Sequence, residues 1–154
     1  MISESVIEEV IEHYENDEKA YVEALAGIME TQPALLAFIG QESIDILLEE
    51  EKDILWYIVM IIYSAIEESD NSIPQLSDKI LSENEEKNWT LFQEQPKGAF
   101  RDRVAVFFDA CTQEDLLAFV EDTLELDDAS PITSVGREVI FITAKSIIDT
   151  LLPS

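Results

Sequence analysis

The stretch TQPALLAFI, residues 31–39, returns as TQEDLLAFV at residues 112–120. Both copies keep Thr, Gln, Leu, Leu, Ala and Phe in register, which predicts the same local structure twice. A Thr at the start suits a helix N-cap, because its hydroxyl accepts from a first-turn amide. Thr112 with Asp115 three residues on reads as a variant of the capping box. Pro33 belongs in a first turn, where a missing N–H is no loss. Gly40 suits the end of that short helix. Leu-Leu-x-Phe between these limits lays a wide apolar stripe on one side.

The match extends at the same offset. Ile54, Ile58, Val59, Ile61 and Ile66 fall on Val135, Val139, Ile140, Ile142 and Ile147, and Val10 and Ile11 fall on Leu91 and Phe92. Each half then reads helix, helix, TQxxLLAF helix, connecting segment, long apolar helix. The expectation is an all-α chain of about seven to nine helices with no strands. It forms one domain over 1–154, with an internal pseudo-repeat of 3–70 and 84–152. Stacked helical hairpins of this length suggest a HEAT-like solenoid fragment. A plain helical bundle is the alternative.

Individual segments follow from spacing. Ile7, Ile11, Tyr14, Tyr21, Leu25 and Ile28 recur at helical intervals after Ser3, an N-cap, with a break at Asn16-Asp17. Ser43 is expected to open a helix leading into ILWYIVMIIYSAI, residues 54–66. As a helix that segment rises roughly 20 Å, short of the roughly 30 Å core of a bilayer. Charged residues close both of its ends, so it reads as a central buried helix. SDNSIP (69–74) and LDDASP (126–131) are loops. Between them lie a polar helix over 75–93 anchored by Leu76, Ile80, Leu91 and Phe92, then a QPKG turn, then a helix marked by Phe100, Val104, Phe107 and Phe108. The last helix, 132–152, carries Val135, Val139, Ile142, Ile147 and Leu151 on its apolar side.

Charge narrows the function. The formal net charge is −25 and the pI about 4.1, so phosphate backbones and anionic membranes are repelled. Direct nucleic-acid binding and membrane docking are therefore disfavoured. Of the 34 acidic residues, 23 precede residue 96, whereas all three arginines follow it. Cys111 is alone, which permits a reducing compartment, and MISESVIEEV has no basic start or long apolar run of a signal peptide. A cytoplasmic location is expected.

Catalytic constellations are sparse. His13 is the only histidine, which excludes a two-histidine metal site and a histidine relay; it reads as a surface residue among acids. Cys111 reads as a structural thiol despite standing near a helix start. EDTLELDD, residues 121–128, lacks the spacing and glycine of an EF-hand loop. No glycine-rich phosphate loop exists. No cofactor, metal site or catalytic residue is expected. Lys97, Arg101 and Arg103 form the densest basic group; with Arg137 they either pair internally with carboxylates such as Glu121 or Glu138 or make a spot that recognises an anion. Trp89, on the most polar helix, is a candidate anchor for a partner.

The leading expectation is a non-enzymatic protein–protein interaction or regulatory module with an unknown protein as partner, a basic protein among the candidates. Its sharper form inhibits a basic nucleic-acid-binding protein by mimicking nucleic acid, with the Glu-rich first half in contact. The competing class is a metal-binding protein or enzyme that uses carboxylates alone.

Overall fold

In a computed structural model that describes residues 1–40, 46–69, 73–109, 111–125 and 132–152, the described residues form eight α-helices and no strand. They are α1 (Glu4–Asn16), α2 (Glu18–Thr31), α3 (Pro33–Ile39), α4 (Glu49–Glu68), α5 (Asp78–Gln93), α6 (Phe100–Asp109), α7 (Glu114–Thr123) and α8 (Ser134–Leu151). The chain is thus all-α, as the spacing predicts.

The starts follow from capping chemistry. Ser3, Asp17, Ser77 and Thr133 each accept from a backbone N–H of the turn they open. Asp17 both breaks the long N-terminal stripe and starts α2. Pro33 sits in the first turn of α3. Ser43 lies outside the described residues, but Ile46–Leu48 are not helical, so α4 begins afresh at Glu49.

The centre is α4 against α8. Every residue from Ile58 to Ile66 and from Val139 to Ile148 is buried. Each fully buried Leu or Ile here contributes about 1.5–3 kcal/mol before entropy. Within α4 and α8, Ser64, Ser146 and Thr150 each meet a partner side chain from a neighbouring helix. The 54–66 segment is the buried inner part of α4. Among the described residues no single helix is long and apolar enough to cross a membrane. The α2–α3 pair reaches that composition only jointly, and it is bent by 101°.

Contacts recur in matched pairs. α1 lies on α4 as α5 lies on α8, and α7 meets α1 as α3 meets α5. The side chains match as well. Gln32 Oε1 accepts from Leu76 N–H at 3.0 Å, and Gln113 Oε1 accepts from Ile2 N–H at 2.9 Å. Ile2 and Leu76 are both buried, and each precedes the Ser that caps the next helix. Tyr14 bonds Ser64 between α1 and α4; Asn88 bonds Ser146 between α5 and α8. The Gln32 bond runs to the residue before the cap of α5, and the Gln113 bond to the residue before the cap of α1.

This is not the linear stack of a HEAT-like solenoid. There each repeat meets only its neighbours, whereas here α7 returns to α1 and α4 packs on α8. The register upstream of the TQ strings also differs from the gap-free one. Ser3, Ile7 and Tyr14 correspond to Ser77, Leu81 and Asn88, so Val10 and Ile11 do not match Leu91 and Phe92, and the second set of contacts begins before residue 84. The cause is length. α5 has 16 residues against 13 in α1, and a link over 94–99 stands where Asp17 alone separates α1 from α2.

Three smaller expectations change. Thr112 does not cap α7: Gln113 holds the N-cap position, without a side-chain bond to its own helix. Thr31 ends α2 and gives its hydroxyl to Gly27 O at 2.7 Å. The shared strings thus matter through Gln rather than Thr. Ile80 and Val135, expected on apolar faces, are exposed, and Leu81 and Gly136 take the buried positions beside them.

Candidate functional site

Glu51 and Gln32, two buried polar side chains, are held by internal partners. Glu51, only 1% exposed, is the one buried carboxylate among the described residues. Its Oε1 accepts from Leu48 N–H at 2.9 Å, the return half of a capping box on α4. Its Oε2 accepts from Thr133 N–H and from the Thr133 hydroxyl, both at 2.9 Å. The Thr133 hydroxyl in turn accepts from Gly136 N–H. One carboxylate therefore serves the starts of both central helices, where their dipoles favour negative charge. Gln32 is likewise saturated: its amide donates to Pro74 O at 3.1 Å and to the Tyr63 hydroxyl at 3.4 Å. These are structural fixtures.

Of the basic residues singled out in the sequence, Arg103 and Arg137 stack on phenylalanines. Arg103 donates to Glu138 at 3.1 Å and to Phe92 O at 3.3 Å, with its guanidinium 3.9 Å from the Phe92 ring centre. Trp89, half-buried, meets the same ring edge-on at 6.0 Å. Arg137 stacks on Phe100 at 4.2 Å, and burial lowers its affinity for the proton. Arg101 is exposed and lies 3.6 Å from Glu121. Arg101, Arg137 and Phe100 line a cavity of about 180 Å³ together with Glu121, Asp122 and Glu125. Burial raises the Glu121 carboxyl above the usual range, Asp122 and Glu125 add to this, and Arg101 opposes it. Three carboxylates face two guanidiniums there, so the spot is not a basic one. Lys97 is exposed in the turn before α6 and joins neither group.

Three further clefts fall between helices. The largest, about 450 Å³, is bordered by Glu9, His13, Tyr14, Ser64 and Glu67 at the α1–α4 contact. The corresponding α5–α8 position holds a cleft of about 260 Å³, with Asn88, Cys111, Lys145 and Asp149 in its wall. Lys145 is buried and pairs with Asp149, which also accepts from Asn88 at 3.1 Å. Cys111 Sγ accepts from Gln113 N–H. No local pattern announces this network, because Asn88, Lys145 and Asp149 come together only when α5 lies on α8.

The third cleft, about 230 Å³, runs between α1 and α7. Ile7, Ile11, Ala118 and Phe119 form its floor; Glu4, Glu8, Asp115 and Asp122 form its rim. Asp115 holds the two walls together by accepting from Glu4 N–H at 3.0 Å. A signal for this cleft was legible on α1 alone, where Glu4, Glu8 and Glu12 follow one another at one-turn spacing beside Ile7 and Ile11. That α7 would supply the other wall was not.

Among the described residues no three of His, Cys, Asp and Glu are grouped so as to hold a metal ion. Residues 126–128 of the acidic EDTLELDD cluster lie outside the described residues. Comparison with protein-family models, with curated proteins and with solved structures finds no match to this chain.

Proposed function

We propose that this chain is a non-catalytic interaction module whose carboxylate surface selects a basic protein partner. One observation supports it above the rest. Among the described residues the acids lie exposed or half-buried, and the one buried carboxylate, Glu51, is consumed by helix starts. With a net charge of −25, such a surface steers cationic partners by long-range attraction.

A sharper form is an inhibitor that occupies the nucleic-acid site of a basic protein. Glu4, Glu8, Glu12 and Glu15 are all exposed along α1, a row of negative charge at helical spacing. Related halves, one ending with α4 and the other running from Leu76 to α8, form part of the same proposal; the matched Gln32 and Gln113 bonds support it.

Affinity capture on the immobilised chain, followed by binding of the purified captured protein, tests the reading. The expected partner is basic, binds with defined stoichiometry and is released as salt rises. Stoichiometric Mn, Fe or Mg in the purified chain would replace this reading with the carboxylate-only metal protein.

A further inference from the structure

The groove between α1 and α7 has the chemistry of a docking site, and we infer that its occupant is a basic amphipathic helix of a partner protein. The inference rests on the protein-binding reading and names its contact face. Two features, independent of each other, lead to it. The floor is apolar: Ile7 is buried, and Ile11, Ala118 and Phe119 are partly open to the cleft. The rim is wholly acidic, with Glu4 and Glu8 on one wall and Asp115 and Asp122 on the other. No basic residue lines the groove.

The walls have helical spacing themselves. Asp115, Phe119 and Asp122 recur on one side of α7, as do Glu4, Ile7, Glu8 and Ile11 on α1. Each wall is about two turns long, roughly 10 Å. A helix laid there puts an apolar stripe on Ile11 and Phe119 and flanks it with Lys or Arg on both sides. That is the helix-in-groove mode of recognition. An extended strand would find no free sheet edge here, since the described residues form no strand. The surface continues past the groove into aromatic rings. Phe119 lies 6.3 Å from Tyr57, and burial raises the phenol of Tyr57, with Glu15 adding to the shift. Tyr and Phe beside carboxylates suit cationic side chains.

The test uses the whole chain and a labelled peptide of about 14 residues, near four turns of helix, made of Leu and Lys with Leu on one face. A second peptide has the same composition with its Leu residues scattered. The facial peptide is expected to bind one per chain at physiological ionic strength, and the scattered one at least about tenfold more weakly. Reversing the rim in E8K/D122K is expected to cost about tenfold or more in affinity. The same charge change on exposed α5 residues, E83K/E86K, leaves affinity within about twofold. Ala118→Trp fills the groove with charge unaltered and also abolishes binding. Equal binding of the two peptides, or equal loss from the rim and α5 reversals, overturns the groove and leaves a diffuse polyanion effect. In that event the capture experiment still judges the protein-binding reading on its own. Absence of binding by either peptide overturns the groove as well.

Discussion

The carboxylate of Glu51 occupies the space in which a side chain at residue 136 would begin: a β-carbon built on Gly136 would stand 1.7 Å from Glu51 Oε2. A side chain there would push the Glu51 carboxylate away from its Leu48 and Thr133 bonds. Gly136→Ala is expected to destabilise the fold by about 1–3 kcal/mol through overpacking. Glu51→Ala leaves the Leu48 and Thr133 amides without their acceptor and costs a similar amount. The two changes are coupled, because the clash vanishes with the carboxylate. The double variant should therefore be more stable than the sum of the single losses predicts, by more than about 0.5 kcal/mol. Urea unfolding of the four proteins measures the cycle; strict additivity would contradict this account.

Gln32 and Gln113 make matched bonds at unequal depth. Gln32 is buried and makes three contacts, whereas Gln113 is half-buried and accepts from Ile2 alone across the halves. Gln32→Ala is expected to cost about 2 kcal/mol and Gln113→Ala about 1 kcal/mol or less. Gln32→Glu tests the donor side: a carboxylate would face Pro74 O with no proton to give, so it should be worse than Gln113→Glu. Denaturant midpoints decide the ranking.

Arg103 and Arg101 differ in role despite their proximity in sequence. Arg103 is stacked on Phe92 and tied to Glu138 and a carbonyl; Arg101 is exposed. A lysine keeps the charge but loses the planar fork. Arg103→Lys should lower stability by about 1 kcal/mol, while Arg101→Lys stays within about 0.5 kcal/mol. A reversed order in thermal unfolding would show that Arg103 is no strut.

Glu121 sets a pH dependence of known sign. Its carboxyl is raised in the folded chain, by burial first, so the folded state holds the proton more tightly than the unfolded one. Its contribution to stability is complete below the ordinary carboxylate value and is lost as pH rises through the raised folded value. Glu121→Gln removes that loss. The stability of E121Q relative to the parent chain should therefore be higher at pH 7 than at pH 4, measured by denaturation at each pH.

Helices were legible because capping and spacing are local. Ser3, Asp17 and Pro33 each announce a start within a few residues, and the uncharged run at 54–66 has no amphipathic option but the centre. Packing partners were not legible in the same way. Nothing near Gln113 in sequence indicates that its amide oxygen meets Ile2, because that meeting depends on how α7 is laid against α1. Capping is the commoner local role, so Thr reads as the useful member of TQ; the bond that matters is the long-range one made by Gln. The groove was half visible. The acidic row of α1 and the stripe of α7 could each be read, but their juxtaposition belongs to the tertiary fold.

The tie between Ile2 and Gln113 has a consequence for biosynthesis. During translation α1 leaves the ribosome long before α7, so its inner face has no second wall until most of the chain has been made. The Ile2 amide and the α7 side of Ile7 lack their partners through that interval, beside Glu4, Glu8 and Glu9. Those carboxylates keep an emerging sticky segment from associating with its neighbours until the last third of the polypeptide arrives to enclose it.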